Sequence, residues 1–362
     1  MYLATNRRIV SGASGLDIFG PVPSEKGPNE LRFVSATPAG GGYKTSLLDD
    51  RLTVAEVAAI NRRHRLNLDT NRPWFASLKV ACDLMRQARV SRKHLLIYVH
   101  GYNNDLRDVM ATAEALEKLY DTIVVPFTWP ANGGGTVSGT AAYLSDKQDA
   151  RASIDALNRF IGRIRDYHAL LTASRRDVLW QKALSGHENN PQAVQERFAA
   201  LLNGDCKVTL NLLCHSMGNY LLKHALDPSG VASRDLVFDN VCLVAADANN
   251  EGHPQWVERI QFRNRLYVVI NENDFALAWS RRKPGEEQLA RLGHYLKNLT
   301  ARNARYVDVT PAPWVRNAHG YFTGEPVQKN RRLRDFFAEA FTGGKPEAAL
   351  EYLADRNAYV LT

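Results

Sequence analysis

The ten residues Leu210-Asn-Leu-Leu-Cys-His-Ser-Met-Gly-Asn219 constrain this chain more tightly than any other stretch. An apolar run from Val208 to Leu213 reads as a buried strand, and Tyr220-Leu-Leu-Lys-His-Ala-Leu226 reads as a helix. Only a tight turn separates the two, with Ser216 at its apex. A serine on a strained strand-to-helix turn is the layout of a nucleophile elbow, which needs small residues two positions to either side. Gly218 meets that demand. Cys214 stands where a first glycine is usual, and is compact enough to serve.

The surrounding pattern is one in which such a turn can sit. Short apolar runs alternate with helical stretches, which predicts an α/β fold with a mostly parallel sheet covered on both faces. Eight strands are expected: Tyr2–Thr5, Leu31–Ser35, Leu95–Val99, Ile123–Thr128, Val208–Leu213, Val241–Ala245, Leu266–Ile270 and Tyr306–Val309. The first two lie in a Gly/Pro-rich opening segment and are assigned to an antiparallel edge. Residues 1–362 read as a single domain, interrupted between core strands by a helical insertion over 130–207. That insertion begins with the Gly-rich Ala131-Asn-Gly-Gly-Gly135 and holds helical stretches near Lys147–Tyr167 and Pro191–Leu202. Its place in the chain predicts a lid over the C-terminal edge of the sheet, with Trp129, Leu144 and Phe198 as candidates for a cavity wall. Near the end, Leu333, Phe336, Phe337, Ala340 and Phe341 recur at helical spacing and predict a core-facing stripe.

Composition excludes several classes. The formal charge of +8 is spread along the chain, densest only at Arg281-Arg-Lys283 and Arg331-Arg-Leu-Arg334. No nucleic-acid-binding module accompanies it, which argues against nucleic acid as the partner. Cys82, Cys206, Cys214 and Cys242 form no C-x-x-C pair and no metal-ligand spacing. The cysteines near apolar strands suit a reducing compartment. No apolar h-region follows the basic start, and no run approaches the ~20 apolar residues of a membrane helix. The expectation is a cytoplasmic protein without a metal or cofactor; the oligomeric state is left open.

A serine hydroxyl attacks only when a base takes its proton, and that base needs a carboxylate to orient it. Loops after later strands supply both. Asn271-Glu-Asn-Asp274 follows the strand ending at Ile270, and Asn317-Ala-His-Gly-Tyr321 follows the strand ending at Val309. Of the ten histidines, His253 and His319 lie on suitable late loops, and His319 alone follows the last expected strand. Asp274 is the favoured acid, with Asp247 and Glu272 as alternatives. The transition state also needs donors for its oxyanion. The backbone N–H of Met217 is one. The other is assigned to Tyr102, with Asn103 next in line, on the loop His100-Gly-Tyr-Asn-Asn104, where Gly101 permits a sharp turn.

The blocks HGYNND, CHSMGN and NEND…HGYF, with Trp129-Pro130 ending the fourth strand, resemble the α/β-hydrolase superfamily. More narrowly they resemble a bacterial branch with H-G-[YF]-N at the oxyanion loop and F-x-W-P after the next strand. The opening Tyr-Leu-Ala-Thr-Asn-Arg is similar to that branch's first strand. The resemblance covers about residues 1–340 and is thin in the insertion. It implies a serine hydrolase acting on a small-molecule acyl substrate, such as a carboxylic ester, with no metal. A silent scaffold and an acyltransferase with the same triad are the other readings. Cys214 in place of glycine is the main departure, and it bears on elbow geometry.

Overall fold

The computed structural model describes residues 1–27, 30–131, 140–188, 190–205, 207–226, 236–281 and 289–362, with no side chains before Ser145 in the helix that starts at Thr140. The chain divides into two compact units. One comprises Met1–Leu47, His94–Phe160 and Thr209–Thr362, the other Leu48–Lys93 and Ile161–Val208.

The strands are β1 (Tyr2–Thr5), β2 (Arg7–Ile9), β3 (Phe19–Pro23), β4 (Arg32–Ala39), β5 (Gly42–Leu47), β6 (His94–Val99), β7 (Thr122–Thr128), β8 (Leu210–His215), β9 (Phe238–Val244), β10 (Phe262–Ile270), β11 (Ala304–Asp308), β12 (Glu351–Leu353) and β13 (Ala358–Val360). The helices are α1 (Val54–His64), α2 (Ala76–Ser91), α3 (Leu106–Leu119), α4 (Thr140–Ala152), α5 (Ile154–Leu184), α6 (Pro191–Gly204), α7 (Met217–Ala225), α8 (Pro254–Val257), α9 (Phe275–Ser280), α10 (Gly324–Lys329) and α11 (Arg331–Ala340).

The first unit is built on a sheet of eleven strands among the described residues, in the order β12-β13-β11-β10-β9-β8-β6-β7-β1-β4-β5. Every pair from β1 across to β13 is parallel, whereas β4, β5 and β12 join antiparallel at the two edges. The count exceeds the eight expected because β5, β12 and β13, at or next to the sheet's edges, are partly exposed and lack a clear apolar alternation. Consequently His319 does not follow the last strand, since β13 pairs with β11 after it.

Strands β7 and β8 are buried at every residue, as a parallel sheet covered on both faces requires. On one face the α3 residues Val109, Ala113 and Leu116 share a core with Leu213, Tyr267 and Val307. The α11 stripe enters the same core: Leu333, Phe336, Phe337, Ala340 and Phe341 are all buried, as their spacing predicts.

Strand order sets where a ligand can go. The chain leaves β6 outward through α3 to β7, then returns to place β8 on the other side of β6. That reversal opens a crevice at the C-terminal ends of β6 and β8, the usual ligand position in an open α/β sheet.

The long segment between β7 and β8 forms α4, α5 and α6, a more extensive helical run than the two stretches expected. Gly133-Gly-Gly135 lies outside the described residues. In the second unit, Val57, Ile60, Leu78 and Cys82 of α1 and α2 pack with Tyr167 and Leu171 of α5. Helix α1 starts at a reciprocal Thr53–Glu56 cap, each side chain bonding the other's backbone N–H.

Phe337 sits at the centre of the α11 core, touching Tyr321, Phe322, Phe336 and Phe341. Phe337→Ala is expected to cost about 3–5 kcal/mol of stability, measured by urea unfolding.

Candidate active site

Ser216 has φ +53° and ψ −123°, a strained backbone conformation for any residue but glycine. The strain is held by its surroundings. Its N–H donates to Val244 O at 3.1 Å, and its carbonyl accepts from the N–H of Asn219 at 3.0 Å and of Asp247 at 3.2 Å. Asn219, fully buried, adds three more bonds from Nδ2, to Cys214 O, Ser216 O and Val244 O at 3.0–3.2 Å. Asn219 stands inside the elbow motif, where nothing in the sequence distinguishes it from an ordinary first-turn helix residue.

Two glycines let the turn approach β6. A Cβ on Gly218 would lie 2.6 Å from Val99 O and 2.7 Å from His100 O. A Cβ on Gly101 would lie 2.7 Å from Ser216 Cβ. Neither overlap can be relieved by turning a flexible side chain, so glycine is required at both. Cys214, fully buried on β8, fills the other small position without distorting the pairing of Val99 with Cys214.

Loops after β10 and β11 bring an acid and an imidazole together. His319 Nδ1 lies 2.7 Å from Asp274 Oδ2. An ionised carboxylate only accepts, so the proton is on Nδ1 and Nε2 keeps its lone pair. Asp274 is fully buried, and its Oδ1 caps α9 by accepting from the N–H of Ala276 and Leu277. Buried Asn271 joins the two loops, donating from Nδ2 to Arg316 O and Ala318 O at 3.1 and 3.0 Å. Beneath them the buried Tyr321 hydroxyl accepts from Ala245 N and donates to Val269 O. His215, directly before the serine, reaches from Nε2 to His319 O at 3.2 Å, with ring centroids 4.6 Å apart. Burial, then His319, holds the His215 imidazole well below its ordinary range, so it is a neutral donor to that carbonyl. Among the described residues Ser216 Oγ makes no hydrogen bond to His319; such bonds often tighten only around substrate.

Residues 79–172 and 185–322 match the family described as alpha/beta hydrolase of unknown function (DUF900). The chain belongs to this α/β-hydrolase family. No curated protein and no solved structure matches it.

The remaining carboxylates of this α/β hydrolase have other partners. Asp247 Oδ1 accepts from Ser280 Oγ at 2.6 Å and lies 3.2 Å from Arg291 Nε, in a buried ion pair. Glu272 accepts from Leu296 N. His253 is fully buried, bridging Asn250 O and the Tyr306 hydroxyl.

The loop after β6 is held as firmly as the elbow. His100 Nδ1 bonds Gly101 O at 2.9 Å, and its Nε2 accepts from Trp129 N at 3.1 Å. Its ring stacks on Trp129, whose indole N–H donates to His100 O. Trp129 is therefore core and not a cavity wall, since its ring is fully buried on His100. Leu144's side chain lies outside the described residues, and Phe198 packs edge-on against Trp180 in the second unit. The N–H of Asn103 is committed to Asp146 of α4 at 3.0 Å. Met217 opens α7, so its N–H has no intrahelical acceptor.

Arg7, which sequence reasoning missed as a site residue, lies behind this loop. It donates to Asn104 O and Thr128 Oγ1 at 3.0 Å, and to Ala131 O at 3.4 Å. Burial brings its guanidinium down to about 10 against the pull of Asp105, Asp146 and Asp149. Burial, then Asp146, raises Asp149 to about 6. The signal available was an arginine two residues beyond an apolar strand, too common to single out. Among the described residues no group of three His, Cys, Asp or Glu side chains is placed to hold a metal ion.

Burial, then Arg7, pushes the His100 imidazole from its ordinary 6.5 down to about 3. Between those values the unfolded chain binds a proton that the folded chain refuses. This contribution to stability is complete above about pH 6.5 and is lost as pH falls, by up to about 1.4 kcal/mol per pH unit. His100→Gln is expected to flatten the pH dependence of unfolding by about one proton over pH 6.5–3. Urea midpoints across that range measure it, and parallel wild-type and variant curves count against the neutral-imidazole clamp.

Proposed function

We propose that this chain is a serine hydrolase that cleaves a carboxylic ester or a related acyl bond. The observation carrying the reading is the Asp274–His319 hydrogen bond on loops joined to an elbow serine at positive φ. Ser216 Oγ attacks the substrate carbonyl while its proton passes to His319 Nε2. Asp274 keeps the Nδ1 proton in place and stabilises the imidazolium. The tetrahedral oxyanion accepts from the N–H groups of Met217 and Tyr102. Collapse breaks the C–O bond, the alcohol leaves with the proton from His319, and Ser216 carries the acyl group. Water, deprotonated by the same imidazole, then releases the acid and restores Ser216.

The narrower resemblance to a bacterial branch with an HGYN loop fits this assignment, because the His100–Trp129 stack joins the two motifs that mark it. The free buried thiols of Cys82, Cys214 and Cys242 suit a reducing, cytoplasmic setting. Among the described residues no helix is long and apolar enough to cross a membrane. The 130–207 insertion, which leaves the chain after β7 and rejoins it before β8, is assigned the selection of substrate size. Shortening it is expected to shift the preference between short and long acyl chains without moving the pH profile.

Ser216→Ala is expected to lower hydrolysis of a short p-nitrophenyl ester by several orders of magnitude with the fold retained. Wild-type turnover in that variant sinks the nucleophile assignment. Asp274→Asn is expected to lose on the order of 10⁴ in kcat. Asp247→Asn loses stability through its buried ion pair, but its kcat per folded molecule stays within about tenfold. The reverse ranking exchanges the roles of the two carboxylates.

A further inference from the structure

Large apolar side chains left in water are ordinary when single and informative when grouped. Phe275 and Trp279 are 55 % and 65 % exposed and lie four residues apart, on one face of α9. Trp314, 40 % exposed, stands on the loop before His319. The two stretches are neighbours: Phe275 N donates to Asn317 O, and Asn271 binds Arg316 O. The loop is under backbone strain, with φ +72° at Trp314 and +46° at Arg316. Strain of this kind persists only where the surroundings impose it.

The charge around these rings is positive. Arg316 and Lys329 both lie over the Trp314 ring, at 5.2 and 5.9 Å from its centroid. Arg281 is exposed two residues beyond Trp279. The second dense basic cluster starts at Arg331, two residues beyond Lys329, and Asn330 between them anchors its start to Pro313 O. Both of the chain's dense basic clusters therefore begin beside the exposed aromatics. Exposed Glu272, Glu325 and Asp335 are acids near these stretches, the last paired with Arg331, and against Arg281, Arg316, Lys329, Arg331, Arg332 and Arg334 they leave an excess of cations.

We propose that Phe275, Trp279 and Trp314, with Arg281, Arg316 and Lys329, form a surface that docks on an anionic lipid bilayer. Indole rings favour the headgroup level, where an apolar body and a polar N–H are both satisfied. Basic side chains at the same level are drawn to anionic headgroups, each strengthening binding about fivefold. A protein partner needs a matched pocket for each ring, whereas a bilayer accepts protruding rings without one. The charge complementarity with anionic lipid decides between them.

The test uses full-length protein carrying Ser216→Ala, so that binding is read without turnover and independently of the proposed chemistry. Flotation with vesicles of phosphatidylcholine alone, or with about 30 % phosphatidylglycerol, measures partition. The expected result is binding to the anionic vesicles only, weakening as salt rises. Trp279→Ala is expected to reduce partition roughly tenfold, and Arg316→Glu at least about fivefold. Trp314→Gly, which suits the positive φ, removes the second indole while preserving the backbone. Three results overturn the proposal: no binding to anionic vesicles at low salt, equal binding by folded aromatic variants, or lipid-free self-association that shields Trp279 from a soluble quencher. Loss or retention of ester hydrolysis bears on the proposed chemistry and leaves this result separate.

Discussion

Where α7 meets the end of β6, there is no room for one methyl group. The backbone of Gly218 lies against the carbonyls of Val99 and His100, and that of Gly101 lies against Ser216. These contacts hold the serine's turn at the mouth of the crevice between β6 and β8. Adding Cβ at either glycine would push α7 or the loop after β6 outward, and with them the N–H groups of Met217 and Tyr102. The carbonyl of Ser216 is held in turn by Asn219 and Asp247. The positive φ of Ser216 is therefore fixed from several directions at once, which is how a packed interior sustains local strain.

Buried charge sorts the two aspartates on neighbouring loops. Asp247 has a cation, Arg291, and a hydroxyl, Ser280, as partners. Removing either would leave a buried charge short of compensation, which makes this pair costly to disturb. Asp274 instead receives two backbone N–H groups and one imidazole N–H. Neutral donors satisfy its carboxylate without cancelling its charge, so a cation arising on His319 meets an uncompensated anion at 2.7 Å. That difference is chemical as well as geometric. A carboxylate already neutralised by arginine has less to offer an imidazolium.

Much of this was legible in the chain because the relevant constraints are local. Strand, turn and helix around Ser216 follow from one contiguous stretch, Val208–Leu226, and the α11 stripe from a helical period. Legibility ends where the constraint is a distant contact. Asp274 and Asp247 each follow a strand on a short loop, and only the partners across 45 and 44 residues, His319 and Arg291, separate them. Trp129 looked like a cavity wall because an aromatic after a strand suits either role; its stack on His100, 29 residues away, makes it core. Arg7 reaches Asn104 and Thr128 across about a hundred residues or more, with nothing nearby in sequence to announce it. Strands β12 and β13, three residues each, are too short for any period to show.

The same two loops carry Asp274, His319 and the exposed indoles, which would give the proposed docking a physical route to the proposed chemistry. Asp274 caps the helix that presents Phe275 and Trp279, while His319 lies five residues beyond Trp314. Asn271 and the Phe275–Asn317 bond tie the loops into one piece, which fixes the indoles relative to the Asp274–His319 pair. That bond has little slack: Asp274 is fixed through Oδ1 by two N–H groups, and Tyr321 ties the ends of β9 and β10 below. A rigid pair beside a surface proposed to meet lipid would suit substrates delivered from the bilayer. On the proposed reading, docking would concentrate and orient an ester without any rearrangement of Asp274 and His319.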